Sequence, residues 1–160
     1  QGAQDDNRSG WIYVQPPRLP VLNPNNSEYG LKKGAYVLAD CDGNPDIILI
    51  GTGSEVHIVL EAKQRLEQKG IAARVVSMPS WELFEKTSEA YKNRVLLPDV
   101  SVRLAVEAGS SMGWGRYVGD GGAVIGITRF GASAPGGTTM EKFGFTPDNV
   151  VQKALELLKK

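Results

Sequence analysis

The residues most suited to chemistry in this 160-residue sequence follow a run of four aliphatic side chains, Ile47 to Ile50. They are Gly51, Thr52, Gly53 and Ser54, and they turn the chain into a segment of helical periodicity. Backbone N–H groups left open at a helix start attract anions, so this turn is a candidate phosphate or nucleotide cradle. Its wording, GTGSEV, argues the other way. A P-loop needs a lysine after its last glycine, and the dinucleotide fingerprint needs a third glycine in register. Glu55 beside the turn also opposes a bound anion. The favoured reading is a tight structural turn, and a small anion- or nucleotide-binding regulatory module using Gly51, Thr52, Gly53 and Ser54 is the alternative.

Other reactive side chains are sparse. His57 is the sole histidine, so a Ser-His-Asp system would depend on it and a zinc site would have one imidazole. It falls early in a helix whose apolar face is set by Val56 and Val59, which favours a structural role. Cys41 is the one cysteine and has no CxxC partner. Glu107 ends an alternating strand and precedes a glycine-rich loop, where α/β proteins place functional side chains. It is a candidate general base, although a carboxylate bonded to loop amides is the more ordinary use. Trp114, Arg116 and Tyr117 in that loop read as an interface patch, because aromatics and arginine are enriched at contacts. No nucleophile, base and oxyanion donors assemble from these, and no catalytic, cofactor-binding or metal residue is assigned.

The elements that position these groups follow from periodicity. Ile47–Ile50 reads as a buried strand, and Val56, Val59, Ala62 and Leu66 give the next helix its core face. Thr52 and Glu55 match a capping box, Lys63, Gln64, Glu67 and Lys69 face water, and Gly70 ends the helix. A strand over residues 74–77 completes a βαβ unit of a parallel sheet. Ala35–Ala39 is predicted to pair with Ile47–Ile50 as an antiparallel hairpin across Asp42, Gly43, Asn44 and Pro45. Beyond the unit lie a helical turn at Trp81–Lys86, a helix at Ser88–Leu97 and strands at Ser101–Glu107 and Ala123–Ile127. The segment Thr138–Phe143 reads as a short helix. The last helix is the best signalled, with Thr146 as N-cap, Pro147 at its first position and Asp148 near the positive dipole end. Residues 1–30 are rich in proline and asparagine and read as a linker or tail. Their Trp11, Ile12, Tyr13, Val14, Leu19, Val21 and Leu22 suit packing on this domain or on a missing neighbour.

Eighteen basic and eighteen acidic residues cancel, which removes the electrostatic case for nucleic acid or an anionic membrane. One cysteine fits a reducing compartment, and no apolar run is long enough to span a bilayer, so a cytoplasmic location is expected.

Six segments in order carry a resemblance: GAYVLADC (34–41), IGTGSEV (50–56), ARVVSMPS (73–80), VEAG (106–109), FGASAP (130–135) and FGFTPDNVV (143–151). Together they resemble the C-terminal domain of transketolase over nearly everything from Leu31 onward. The resemblance implies a three-layer α/β/α domain, residues 31–160, with a five-stranded mixed sheet whose first strand is antiparallel. It implies a homodimeric parent of the pentose phosphate pathway that transfers two-carbon ketol units between sugar phosphates, using thiamine diphosphate and Mg. Those ligands belong to the preceding domains, so the implied role of this domain is structural and dimer-supporting, with the remaining transketolase domains as its partners. One departure concerns the family segment S-R-Q-N-L-P, whose arginine helps to hold the substrate phosphate. Here the chain reads Gln15, Pro16, Pro17, Arg18, Leu19, Pro20, so that arginine falls on Pro16 and the role is not transferred to Arg18. A third reading is a pure interaction module docking another chain through Trp114, Tyr117 and the apolar N-terminal residues.

Overall fold

Ile47, Ile48, Leu49 and Ile50 are all fully buried, and the side chains of successive residues point to opposite sides. Ile47 and Leu49 enter one apolar cluster, Ile48 and Ile50 the other. A strand buried on both faces belongs at the centre of a sheet covered by helices twice over. The computed structural model, which describes residues 30–127 and 140–159, has that architecture.

Five strands, β1 (Tyr36–Ala39), β2 (Ile47–Gly51), β3 (Ala73–Ser77), β4 (Arg103–Ser110) and β5 (Ala123–Ile127), form one sheet in the order β1-β3-β2-β4-β5. All pairings are parallel except β1 with β3, as expected for a mixed sheet with an antiparallel first strand. The helices that pack against the sheet are, in chain order, α1 (Glu55–Glu67), α2 (Trp81–Glu85), α3 (Glu89–Leu96), α4 (Gly115–Val118) and α5 (Pro147–Leu158). Helices α1 and α5 cover one face through Val59, Ala62, Leu66, Val150, Ala154 and Leu157. Phe84, Tyr91, Val95, Trp114 and Tyr117 of α2, α3 and the α4 region cover the other. The three layers are therefore α/β/α.

Several expectations are corrected. The hairpin does not form: β1 pairs with β3, Tyr36 opposite Ser77 and Val37 opposite Val76. Both sides of β2 are already occupied by β3 and β4, so the 40–46 turn carries the chain past β3 instead of reversing it beside β1. The capping box is not made either. Ser54 occupies the N-cap position with no side-chain cap, and the Thr52 hydroxyl turns away to Glu107. Lys63 is buried except for its tip, where the ammonium pairs with Glu67 one turn on. Its aliphatic stem packs while the charge stays at the rim.

The last helix forms as read. Thr146 accepts from the Asn149 N–H at 3.3 Å and Pro147 opens the helix. Ser80 and Ser88 cap α2 and α3 in the same way. Residues 140–142 are helical, within the segment predicted as a short helix. The linker readings for residues 1–29 and the segment 130–137 lie outside the described residues.

Candidate functional site

The chain leaves β2 to one side to build β3, then returns across the sheet to lay β4 on the other side. The carboxyl ends of β2 and β4 thus flank the topological switch point, where open α/β sheets place their ligands. Thr52 follows β2 and Glu107 lies in β4, and the Thr52 hydroxyl donates to Glu107 Oε2 at 3.0 Å. Thr52 follows its strand as read, whereas Glu107, read as a strand end, lies three residues inside the end of β4, and the pairing of the two depends on β2 and β4 being neighbours. The Glu107 carboxylate is bonded to a hydroxyl across the crevice, not to the loop amides that the sequence suggested.

Burial pushes the Glu107 carboxyl above its ordinary value; the Thr52 hydroxyl partly offsets this and the Glu55 charge adds to it. Glu55 is itself buried, and its Oε1 accepts from the Ser54 hydroxyl at 2.6 Å. Its N–H is spent on the Thr52 carbonyl and that of His57 on the Ser54 carbonyl. The turn Gly51–Ser54, with Gly53 at φ 48°, therefore presents two carboxylates alongside whatever N–H groups remain.

Beyond this pair, Met78, Pro79, Ser80, Trp81 and Glu82 close a shallow cleft of about 210 Å³ with Thr52 and Glu107. The Ser80 hydroxyl donates to Glu82 at 3.0 Å while accepting from the Leu83 N–H. Glu82 is held below the usual carboxylate range by its own backbone N–H and then by Ser80. Such a lining accepts hydrogen bonds, and burial favours the neutral form of Glu107 more than water would. The lining supplies no nucleophile–base pair. Among the described residues no group of three or more His, Cys, Asp or Glu is disposed to hold a metal ion.

The remaining candidates lie elsewhere. His57 is half-buried in the first turn of α1 and does not line the cleft. Cys41 is a free, half-buried thiol pushed up by burial and then by the Asp40 charge, the opposite of what activates a cysteine nucleophile. Trp114 and Tyr117 are only 1% and 3% exposed, so they do not form the interface patch suggested by their glycine-rich context. They pack edge-on to each other and against Trp81, the two tryptophan rings 5.1 Å apart at 87°. Arg116 alone of that trio is exposed.

Sequence reasoning missed a second polar lock at the sheet edge. Arg74 of β3 is nine-tenths buried and grips both Asp40 oxygens, at 2.9 and 2.8 Å, while donating to the Arg94 and Val95 carbonyls of α3. An arginine inside a strand of buried residues, with an aspartate just after a neighbouring strand, was the available signal.

Residues 34–146 match the profile of the family described as transketolase-like TK C-terminal domain. The chain belongs to that family. A transketolase of Aquifex aeolicus is 55% identical over 143 residues, which are 87% of this chain and 21% of that protein. The structure of a Leishmania mexicana transketolase superposes with a TM-score of 0.76 at 37% identity, covering 82% of this chain and 19% of that one. A structure described as a split gene transketolase, an inactive beta4 tetramer, superposes with a TM-score of 0.63 at 26% identity over 80% of this chain and 43% of its own. The chain thus spans about a fifth of the length of the transketolases of Aquifex aeolicus and Halalkalibacterium halodurans. None of the helices among the described residues is long and apolar enough to cross a membrane.

Proposed function

We propose that residues 31–160 are the C-terminal domain of a transketolase, reached through a linker or tail at 1–30. In this reading the parent enzyme is a cytoplasmic homodimer that transfers two-carbon ketol units between sugar phosphates with thiamine diphosphate and Mg. The cofactors lie in the preceding domains, and this domain contributes structure and dimer support. The observation that carries the reading is the 55% identity over 143 residues to one fifth of a transketolase, together with the match of residues 34–146 to a family named for the C-terminal domain. A ketol-transfer assay on the purified chain with thiamine diphosphate and Mg should give background, and the full-length polypeptide should turn over. Activity that persists in the isolated chain after contaminating enzyme is removed would refute the non-catalytic role.

An anion site at Gly51, Thr52, Gly53 and Ser54 remains the second reading, supported by its place at the switch point and opposed by Glu55 and Glu107. Amide shifts in that turn on titration with phosphate, sugar phosphates or nucleotides would establish it; silence at millimolar ligand would remove it.

A further inference from the structure

Helix α3 carries Tyr91, Arg94 and Val95 at spacings of three and four, which place them on one side of the helix. Between them and the edge strand β1 lies a pocket of about 350 Å³, walled also by Tyr36, Val37, Asp40 and Arg74. Sites for small molecules enclose about 300–1,000 Å³. This pocket is of that size, whereas the Thr52–Glu107 cleft, at about 210 Å³, is not.

Most polar groups of the lining are already engaged with one another. The Asp40 oxygens accept from the Arg74 Nε and Nη2 at 2.9 and 2.8 Å and from the Cys41 N–H at 3.1 Å. The Arg74 Nη1 donates to the Arg94 and Val95 carbonyls, and the Tyr91 hydroxyl to the Ala35 carbonyl at 2.9 Å. Asp40 and Arg74 therefore cancel in charge as well as in hydrogen bonds, and the charge facing the pocket is that of Arg94. Its guanidinium stands 5.1 Å from the centre of the Tyr91 ring and, among the described residues, is matched to no carboxylate. The ring face attracts the cation and holds it at the pocket while leaving its N–H groups to donate. A guanidinium fork fits the paired oxygens of a carboxylate or phosphate, and an ammonium does not. Beside it, Val37, Val95 and the rings of Tyr36 and Tyr91 offer apolar wall.

We propose that this pocket binds a small molecule that carries one oxyanion head, a phosphate or a carboxylate, on an apolar or aromatic body. Arg94 holds the head, and Val37, Val95 and the tyrosine rings cover the body. The proposal stands on the geometry of this chain alone and does not depend on the transketolase reading. In its test, amide shifts of the whole chain are followed during titration with phenyl phosphate and with benzoate. Inorganic phosphate and benzyl alcohol present the charge alone and the ring alone. Phenyl phosphate or benzoate should move the Val37, Arg94 and Val95 amides saturably at millimolar concentration, and the tighter of the two identifies the head group. Arg94→Gln, checked for folding by circular dichroism, should weaken that binding by about tenfold or more. Lys153→Gln removes one positive charge from α5, on the opposite layer, and should leave the binding unchanged. The absence of a saturable shift with either aromatic anion would overturn the proposal, as would equal affinity in Arg94→Gln. Inorganic phosphate or benzyl alcohol binding as tightly as the aromatic anions would overturn it too, because head and body would then not be recognised together.

Discussion

Replacing Asp40 with alanine would strand the Arg74 guanidinium, which is nine-tenths buried and keeps only the Arg94 and Val95 carbonyls as partners. Breaking a fully buried pair costs about 3–5 kcal/mol. Asp40 is 48% exposed, however, so water can reach part of the vacated space and the expected cost falls to about 1–2 kcal/mol. For a domain of this size that corresponds to a melting temperature lower by about 2–8 °C. The pH dependence identifies the cause. Burial raises the Asp40 carboxyl, but the Arg74 hydrogen bonds, the Cys41 N–H and the Arg74 and Lys63 charges outweigh it and hold it below its ordinary range. A carboxyl lowered in the folded state contributes fully above its unfolded value of about 3.9 and loses that contribution as pH falls through the folded value. Urea unfolding of both proteins at pH 7 and near pH 3 should therefore show a gap that narrows in acid. A gap of the same size at both pH values would refute the ion-pair account and leave only lost packing.

Two further substitutions probe the helix start and the crevice. Thr146→Ala removes the cap on the Asn149 N–H and should cost about 1 kcal/mol in thermal unfolding, while Thr146→Ser retains most of the stability. Glu107→Gln keeps an acceptor for Thr52 but removes a buried charge, so it should be neutral or stabilising at pH 7. Because the folded Glu107 carboxyl is raised, its contribution is complete below about pH 4.3 and is lost as pH rises through the folded value. The advantage of Gln over Glu should grow across that interval in denaturant titrations. Greater stability of the glutamate protein at pH 7 would contradict the burial argument.

What was legible in the sequence was mostly local. Thr146 and Pro147 sit beside the helix they start, and Val59, Ala62 and Leu66 declare their face by spacing, so no distant residue can revise them. What was hidden depended on neighbours brought by topology. Thr52 has the right spacing to cap with Glu55, yet β4 delivers Glu107 to its hydroxyl and the cap is forgone. Trp114 and Tyr117 lie in a glycine-rich stretch that looks solvent-facing, and only the packing of α2 and α4 over the sheet turns them inward. Lys63 looked like a water-facing residue of its helix, but most of its length is covered, a division between stem and ammonium that periodicity does not express. The sequence pattern and the family resemblance both gave an antiparallel first strand, and the resemblance added the five-stranded sheet, but the true partner of that strand emerged only with the fold.

The pairing of β1 with β3 sets an order for the domain during its synthesis. Tyr36 is made early, but its partner Ser77 emerges only after β2, α1 and most of β3 have been added. At about 5–20 residues per second, the first strand waits for seconds with its hydrogen-bonding edges open. The β2-α1-β3 unit can collapse in that interval, and Tyr36–Ala39 then closes onto a surface that already exists. The strand through which the chain enters this domain is thus the last of those three to be secured.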